Sequence, residues 1–324
     1  MSVVVSTQDL SKTYRAGFWK TKTISALDRL NLEVRENEIL GYLGPNGAGK
    51  STTLKLLMSL IYPSSGKAEI LGQPASDVSM RRHIGYLPEN PYFYEYLSAE
   101  EFLSYCASLF DFSIAEIRTK VEYFLKLTDI AYARKLQLRK FSKGMLQRVG
   151  VAQALIHDPK IVFLDEPMSG LDPIGRREVR DLILLLKKEG KTVFFSTHIL
   201  NDVEVLCDRV AVLNRGKLIG SGRLTDLISQ EASHIEIVIS NTNLETIRQA
   251  VGPDVKISQS GMTLRLELKA NVPLTPLVTY IERASGKVLA INPIRQTMED
   301  YFFKLINRDA MLEGEPSVAS TNNP

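Results

Sequence analysis

At 324 residues, with 44% hydrophobic and 24% charged residues, the chain exceeds one ordinary core and suggests two domains. A net charge of +3 is too small to imply a nucleic-acid partner, and no stretch reaches the roughly 18 uninterrupted apolar residues of a membrane span. The start Met1-Ser-Val-Val-Val-Ser6 lacks the basic head and apolar core of a signal peptide, so a cytoplasmic protein is expected. Cys106 and Cys207 sit in apolar text and read as core residues rather than as a disulfide or metal site.

In chain order, short alternating runs at 3–6, 30–34 and 67–71 predict antiparallel strands. Between them a strand over 37–43 runs into Gly44-Pro45-Asn46-Gly47-Ala48-Gly49-Lys50-Ser51, and a helix follows over 52–60. Strand, glycine loop and helix in that order form the setting of a phosphate-binding loop. Glycines let backbone N–H groups turn inward around an anion, Lys50 reaches the β and γ phosphates, and the Ser51 hydroxyl can ligate Mg²⁺. The ligand expected here is a nucleoside triphosphate, with Thr52 at the start of the helix beside it.

From 98 to 158 the text turns helical, with apolar faces over 101–110 and 121–127, so a helical insertion interrupts the sheet. Just before it stands Asn90-Pro-Tyr-Phe-Tyr-Glu-Tyr-Leu97, read either as core under that insertion or as a docking loop, and within the insertion a basic run spans 134–148. That run, with Arg134, Lys135, Arg139, Lys140, Lys143 and Arg148, is either a solvated helix face or an anion-facing surface. Ser142 is a good N-cap for a helix running to about 157, which makes a second helix N-terminus suited to phosphate.

Continuous apolar runs at 161–164 and 192–195, separated by a helix over 176–188, predict buried parallel strands. The first ends in Asp165-Glu166, at the strand end where α/β sheets bind ligands; Asp165 can join the Mg²⁺ shell and Glu166 can accept a proton from water. His198 ends the second, at the same sheet edge. Beyond 232, strands over 234–240, 255–258, 262–269 and 287–292 alternate with helices over 244–251 and 274–284, the order of a split β-α-β sandwich. A helix over 297–306 follows, and the end from 311 is expected to be disordered.

The set resembles the nucleotide-binding subunit of ATP-binding-cassette (ABC) transporters. It carries the phosphate loop, the carboxylates Asp165 and Glu166, the signature Ser142-Lys143-Gly144-Met145 with Gln147-Arg148, the loop Ser169-Gly-Leu-Asp172 and the switch His198, in the family's order over about residues 1–225. The resemblance implies a P-loop NTPase core of RecA-like α/β fold with an antiparallel β subdomain. Domain limits follow at 1–231 for the nucleotide-binding domain, 232–310 for a small α+β accessory domain and 311–324 for a tail. It also implies a Mg²⁺-dependent ATPase with Glu166, His198 and Lys50 in catalysis, Tyr14 stacking on adenine, and residues 142–145 meeting the nucleotide of a second copy. The Mg²⁺ ligands would be Ser51, Asp165 and Glu89, the last standing where the family commonly has glutamine.

Implied partners are a like subunit, as homodimer or heterodimer, and an integral membrane permease on the cytoplasmic face. The form Ser-Lys-Gly-Met-x-Gln-Arg and the closing text 293–305 resemble the branch that pairs with separate six-helix membrane proteins, mostly exporters. Two rival readings are a soluble cassette ATPase acting on ribosomes or DNA and a P-loop kinase. Neither is favoured: no second cassette or long coiled coil is present, and a kinase leaves the signature and 169–172 unexplained.

Overall fold

The computed structural model of the chain describes residues 2–16, 22–228, 232–251, 255–295 and 297–312. The chain divides into two units, 1–224 with 305–324 and 225–304. The second boundary thus falls earlier than the 310 read from sequence, because the last turns of the closing helix belong with the first unit.

In the first unit β1 (Val3–Ala16) and β2 (Lys22–Arg35) form a long antiparallel pair, and β3 (Ile39–Leu43) leads into the glycine loop and α1 (Lys50–Leu57). After β4 (Ser65–Ile70) and the short β5 (Gln73–Pro74) comes β6 (Ile84–Leu87). The insertion follows as α2 (Ala99–Ser108), α3 (Ile114–Leu127) and α4 (Lys143–Leu155). The chain returns to the sheet through β7 (Ile161–Asp165), α5 (Pro173–Lys188), β8 (Thr192–Thr197), α6 (Leu200–Leu206), β9 (Arg209–Asn214), β10 (Lys217–Arg223) and the single turn α7 (Leu224–Leu227).

Strands order as β10-β9-β3-β8-β7-β6, parallel except for β10, and a separate antiparallel sheet orders as β2-β1-β4-β5. The apolar runs at β3, β7 and β8 are buried along their whole length, as strands covered on both faces must be. One core, with Tyr42, Leu54 and Phe163, fills the space between the two sheets around α1; the other, with Phe102, Leu125 and Phe195, lies under the helical insertion. Parallel strands that end together bring Leu43, Asp165 and Thr197 to one edge, and the candidate site lies there.

The first two insertion helices, α2 and α3, start on reciprocal caps. Ser98 accepts from the Glu101 amide while Glu101 accepts from the Ser98 amide, and Ser113 with Glu116 repeats the pattern. The basic run does not form one anion-facing surface. Arg134 forks onto Glu100 and also pairs with Glu122, and Arg148 pairs with Glu178 and Asp129. Lys135, Arg139 and Lys140 are exposed. Cys106 is buried under the insertion. The Cys207 sulfur lies against Gly41, where an added Cβ would fall 2.5 Å from Sγ.

The second unit contains β11 (Ala232–Ser240), α8 (Leu244–Ala250), β12 (Lys256–Ser260), β13 (Thr263–Lys269), α9 (Leu274–Arg283) and β14 (Lys287–Arg295). Its strands order β12-β13-β11-β14, all antiparallel, which is the split β-α-β arrangement the alternation predicts. Ile237, Ile239, Leu264, Leu266 and Leu268 face α8 and α9 as its core, with Ile247, Leu277 and Ile281. The closing helix α10 (Met298–Leu312) starts where the sequence places it and runs longer. The tail expected to be disordered lies, from 313 on, outside the described residues.

The aromatic loop splits between its two readings. Phe93, 5% exposed, packs edge-on against Phe102 with centroids 5.4 Å apart, whereas Tyr92, Tyr94 and Tyr96 are 89%, 54% and 76% exposed. Phe93→Ala should therefore cost about 3–5 kcal/mol of stability, and Tyr92→Ser should stay within about 0.5 kcal/mol. Chemical denaturation of the two variants measures both; equal losses would contradict this division of the loop.

Candidate functional site

The glycine loop is held by its neighbours. Gly47 and Gly49 have φ of +79° and +109°, a backbone region that side chains resist, and a Cβ on Gly44 would lie 2.4 Å from the Leu213 carbonyl oxygen. Gly49 is the N-cap of α1 and brings no side chain to the first amides, so these remain available to an anion. Lys50, 6% exposed, donates to the carbonyls of Gly44 at 2.7 Å and Pro45 at 3.2 Å. Its ammonium is also 3.1 Å from Glu166 Oε1, itself 7% exposed. That approach is an ion pair without a directed hydrogen bond, since Oε1 has no bonded donor.

At the end of β7, Asp165 Oδ1 accepts from Ser196 Oγ at 2.6 Å and, more weakly, from Ser51 Oγ at 3.3 Å. Glu166 then turns into left-handed backbone, φ +50°, a conformation that costs a non-glycine residue about 1 kcal/mol or more. Its amide is held by Ser196, donating to the backbone carbonyl at 3.2 Å and to Oγ at 3.0 Å. Oε2 of Glu166 lies 2.9 Å from His198 Nδ1. Burial and the nearby Asp165 charge push the Tyr86 phenol up to about 12, so it stays neutral beside the carboxylates at pH 7.

Ser196 is the residue that sequence reasoning missed. It bridges the two carboxylate residues from β8, two positions before His198, which lies just past the end of the strand. That spacing was the available signal.

Asn46, Lys50, Ser51, Thr52, Glu89 and His198 are among the residues lining one open cavity of about 330 Å³. Gly47, Gly49 and Glu166 line it too, and Asp165 reaches it through Ser51. Gly44, Pro45 and Ala48 form the loop behind, with Ala48 N–H donating to the Pro45 carbonyl at 3.1 Å. Glu89 is exposed on the cavity wall.

Tyr14 and residues 142–145 are not among that cavity's lining residues. Tyr14 is part-exposed on β1 with the Lys12 ammonium 5.3 Å from its ring centre. Ser142 caps α4, its Oγ accepting from Met145 N–H at 3.2 Å, and Lys143 extends over Gly170. Gly144 is open, with Leu171 the only neighbour near an added Cβ. Further along α4, the buried Gln147 side chain donates to the Pro167 carbonyl at 2.8 Å, tying the signature helix to the turn that carries Glu166.

A buried lysine on a glycine loop, paired with Glu166, which in turn meets His198 and follows Asp165 at the strand end, is an arrangement able to bind phosphate and activate water. The ABC transporter family profile matches residues 27–169. An uncharacterised ABC transporter ATP-binding protein of Synechocystis is 44% identical over 93% of this chain and 84% of its own length. The bacitracin transport ATP-binding protein BcrA of Bacillus licheniformis is 36% identical over 94% of this chain and 98% of that one. Among solved structures, the dimeric post-hydrolysis state of the ATP-binding cassette MJ0796 bound to ADP and Pi is similar at a TM-score of 0.62 and 27% identity, covering 68% of this chain and 98% of that chain. The chain therefore belongs to the ABC transporter family as an ATP-binding subunit, an ATPase built on the P-loop NTPase fold.

Proposed function

We propose that this subunit binds two MgATP in a head-to-tail dimer and uses their hydrolysis to drive a separate membrane permease in export. The observation that carries the dimer is the position of the signature. Ser142 caps α4 and residues 143–145 form its first turn, yet none of the four lines the cavity of Lys50 and Glu166, so a nucleotide held there needs a second copy to meet a signature. The dimeric state of MJ0796 supports the same reading.

Within one site Lys50 exchanges the carbonyls of Gly44 and Pro45 for the β and γ phosphates, a stronger charge-assisted contact. That exchange takes the ammonium from Glu166 Oε1 and leaves the carboxylate to accept a proton from, or orient, the attacking water. His198 holds Oε2 and fixes the carboxylate's direction. Ser51 and Asp165, with Glu89 on the wall, supply only oxygen donors, which suits a hard divalent cation. The Ser51 hydroxyl lying 3.3 Å from Asp165 Oδ1 is the contact that favours this placement. Mg²⁺ bound there would neutralise phosphate charge.

No helix among the described residues is long and apolar enough to cross a membrane. The exposed rings of Tyr92, Tyr94 and Tyr96 follow Glu89 closely in sequence, and we assign the permease contact to them, on the cytoplasmic face. Export is supported by the branch-like signature, and a role in transport by the likeness to BcrA, a bacitracin transport ATP-binding protein, over nearly the whole chain.

Glu166→Gln keeps the shape and loses the basicity, so it should bind MgATP, hydrolyse it about a hundredfold or more slowly, and accumulate as an ATP-bound dimer in light scattering. A folded, nucleotide-bound variant that stays monomeric refutes the shared site. Lys50→Ala should weaken nucleotide binding about 10- to 100-fold, while Ser142→Arg should leave monomer affinity nearly intact and abolish hydrolysis. Mixing the two supplies one intact composite site per mixed dimer and should return part of the activity; loss of ATP binding in isolated Ser142→Arg would place the signature within its own site. Replacing Tyr92 and Tyr94 by Ser should keep the basal ATPase rate, cost no more than about 1–2 kcal/mol of stability through the lost Tyr94–Tyr105 contact, and lower copurification with the permease; wild-type copurification would move the docking surface elsewhere.

A further inference from the structure

The glycine loop rests on the turn between β9 and β10. Gly216 N–H donates to the Ala48 carbonyl at 2.8 Å, and the Gly216 carbonyl accepts from Asp28 N–H at 2.8 Å. The Leu213 carbonyl closes against Gly44, and the Leu213 side chain approaches Gly49. One hairpin thus supports the loop near its beginning and its end. Between those two contacts lies Asn214, a buried amide at the end of β9. Its Nδ2 donates to Asp309 Oδ2 at 2.7 Å, across 95 residues of sequence. Asp309 lies in α10, in the part that belongs to the first unit.

We infer that Asp309 is a positioning residue for nucleotide binding, acting through Asn214 and the β9–β10 turn on the phosphate loop. A phosphate cradle binds tightly only if its amides already point inward, because ordering them at the moment of binding subtracts from affinity. The hairpin supplies that order through Gly44 and Ala48, and the carboxylate of Asp309 is the anchor of the hairpin's buried amide. Removing it leaves Asn214 Nδ2 without this acceptor, and the turn gains freedom to satisfy the donor elsewhere. The contacts with the loop are made where phosphate is held, so the effect falls on affinity and not on the water-activating pair Glu166 and His198. The closing helix thereby gains a part in the site, beyond its place in the fold.

The inference rests on the reading of 44–51 as the phosphate cradle, and Lys50→Ala serves as the control for that reading. In the full-length chain, titrated with ATP and followed by calorimetry, Asp309→Ala should raise the nucleotide Kd about 3- to 10-fold, with kcat at saturating MgATP within about twofold. Asp309→Asn, whose amide oxygen still accepts from Asn214, should stay within about twofold of wild type. A folded Asp309→Ala with wild-type Kd, alongside a weakened Lys50→Ala, overturns the tether; an unweakened Lys50→Ala overturns the cradle instead. A lower kcat with unchanged Kd also overturns the inference. If Asp309→Ala does not fold, the exchange decides: Asn214→Asp alone sets two carboxylates face to face and should bind poorly, and adding Asp309→Asn restores a donor and an acceptor. Recovery of affinity in the double variant supports the tether, and no recovery refutes it.

Discussion

A buried ammonium, Lys50, faces a buried carboxylate, Glu166, across 3.1 Å where the central parallel strands end. Such a pair is a costly thing to keep out of water, since desolvation of both ions offsets much of their attraction. It persists because each partner has other contacts: the ammonium donates to two loop carbonyls, and the carboxylate's second oxygen meets His198. In the proposed mechanism a ligand with more negative charge than Glu166 displaces it from the ammonium, and the loop, the strand ends and the histidine surround that exchange. The site is therefore set before nucleotide arrives, with one oxygen of Glu166 lacking a directed donor.

The fold's part is to make this geometry affordable. Burying β3, β7 and β8 on both faces fixes their ends, and Ser196 ties two of them by bonding both Asp165 and the Glu166 amide. The left-handed turn at Glu166 is strained, and these bonds hold it in place. Gln147 extends the same control to the signature helix through Pro167. A change at the strand edge therefore has a direct hydrogen-bonded route to α4, with no long relay of side chains.

Much of this was legible in sequence because it is local. The phosphate loop, the apolar runs of the buried strands, the acids that end β7 and the alternation of the second unit are written in contiguous residues, and each element forms where its pattern places it. Contacts between distant segments were not legible. Nothing near Arg134 or Arg148 shows that Glu100, Glu122 and Glu178 will meet them, so a basic run that folds into internal pairs looks the same as an exposed one. Phe93 and its tyrosine neighbours share one aromatic text, and only in the folded chain do they part: Phe93 and Tyr94 both meet Phe102, but Phe93 is buried and Tyr94 stays exposed. The return of the closing helix to the first unit depends on pairing across the whole chain, which no window of sequence contains.

The two cysteines carry a last consequence. Burial raises the Cys106 thiol to about 11, and burial with the nearby charges of Asp208 and Asp202 raises Cys207 well above its usual range. Thiolate, the form that alkylates and oxidises, is thus scarce at both, and the Cys207 sulfur is pressed on the backbone of β3. Both sulfurs are therefore disfavoured targets for maleimides and mild oxidants in the folded subunit. A spectroscopic label attached to a cysteine introduced at an exposed surface position would report alone, without first stripping the natural sulfurs from the core.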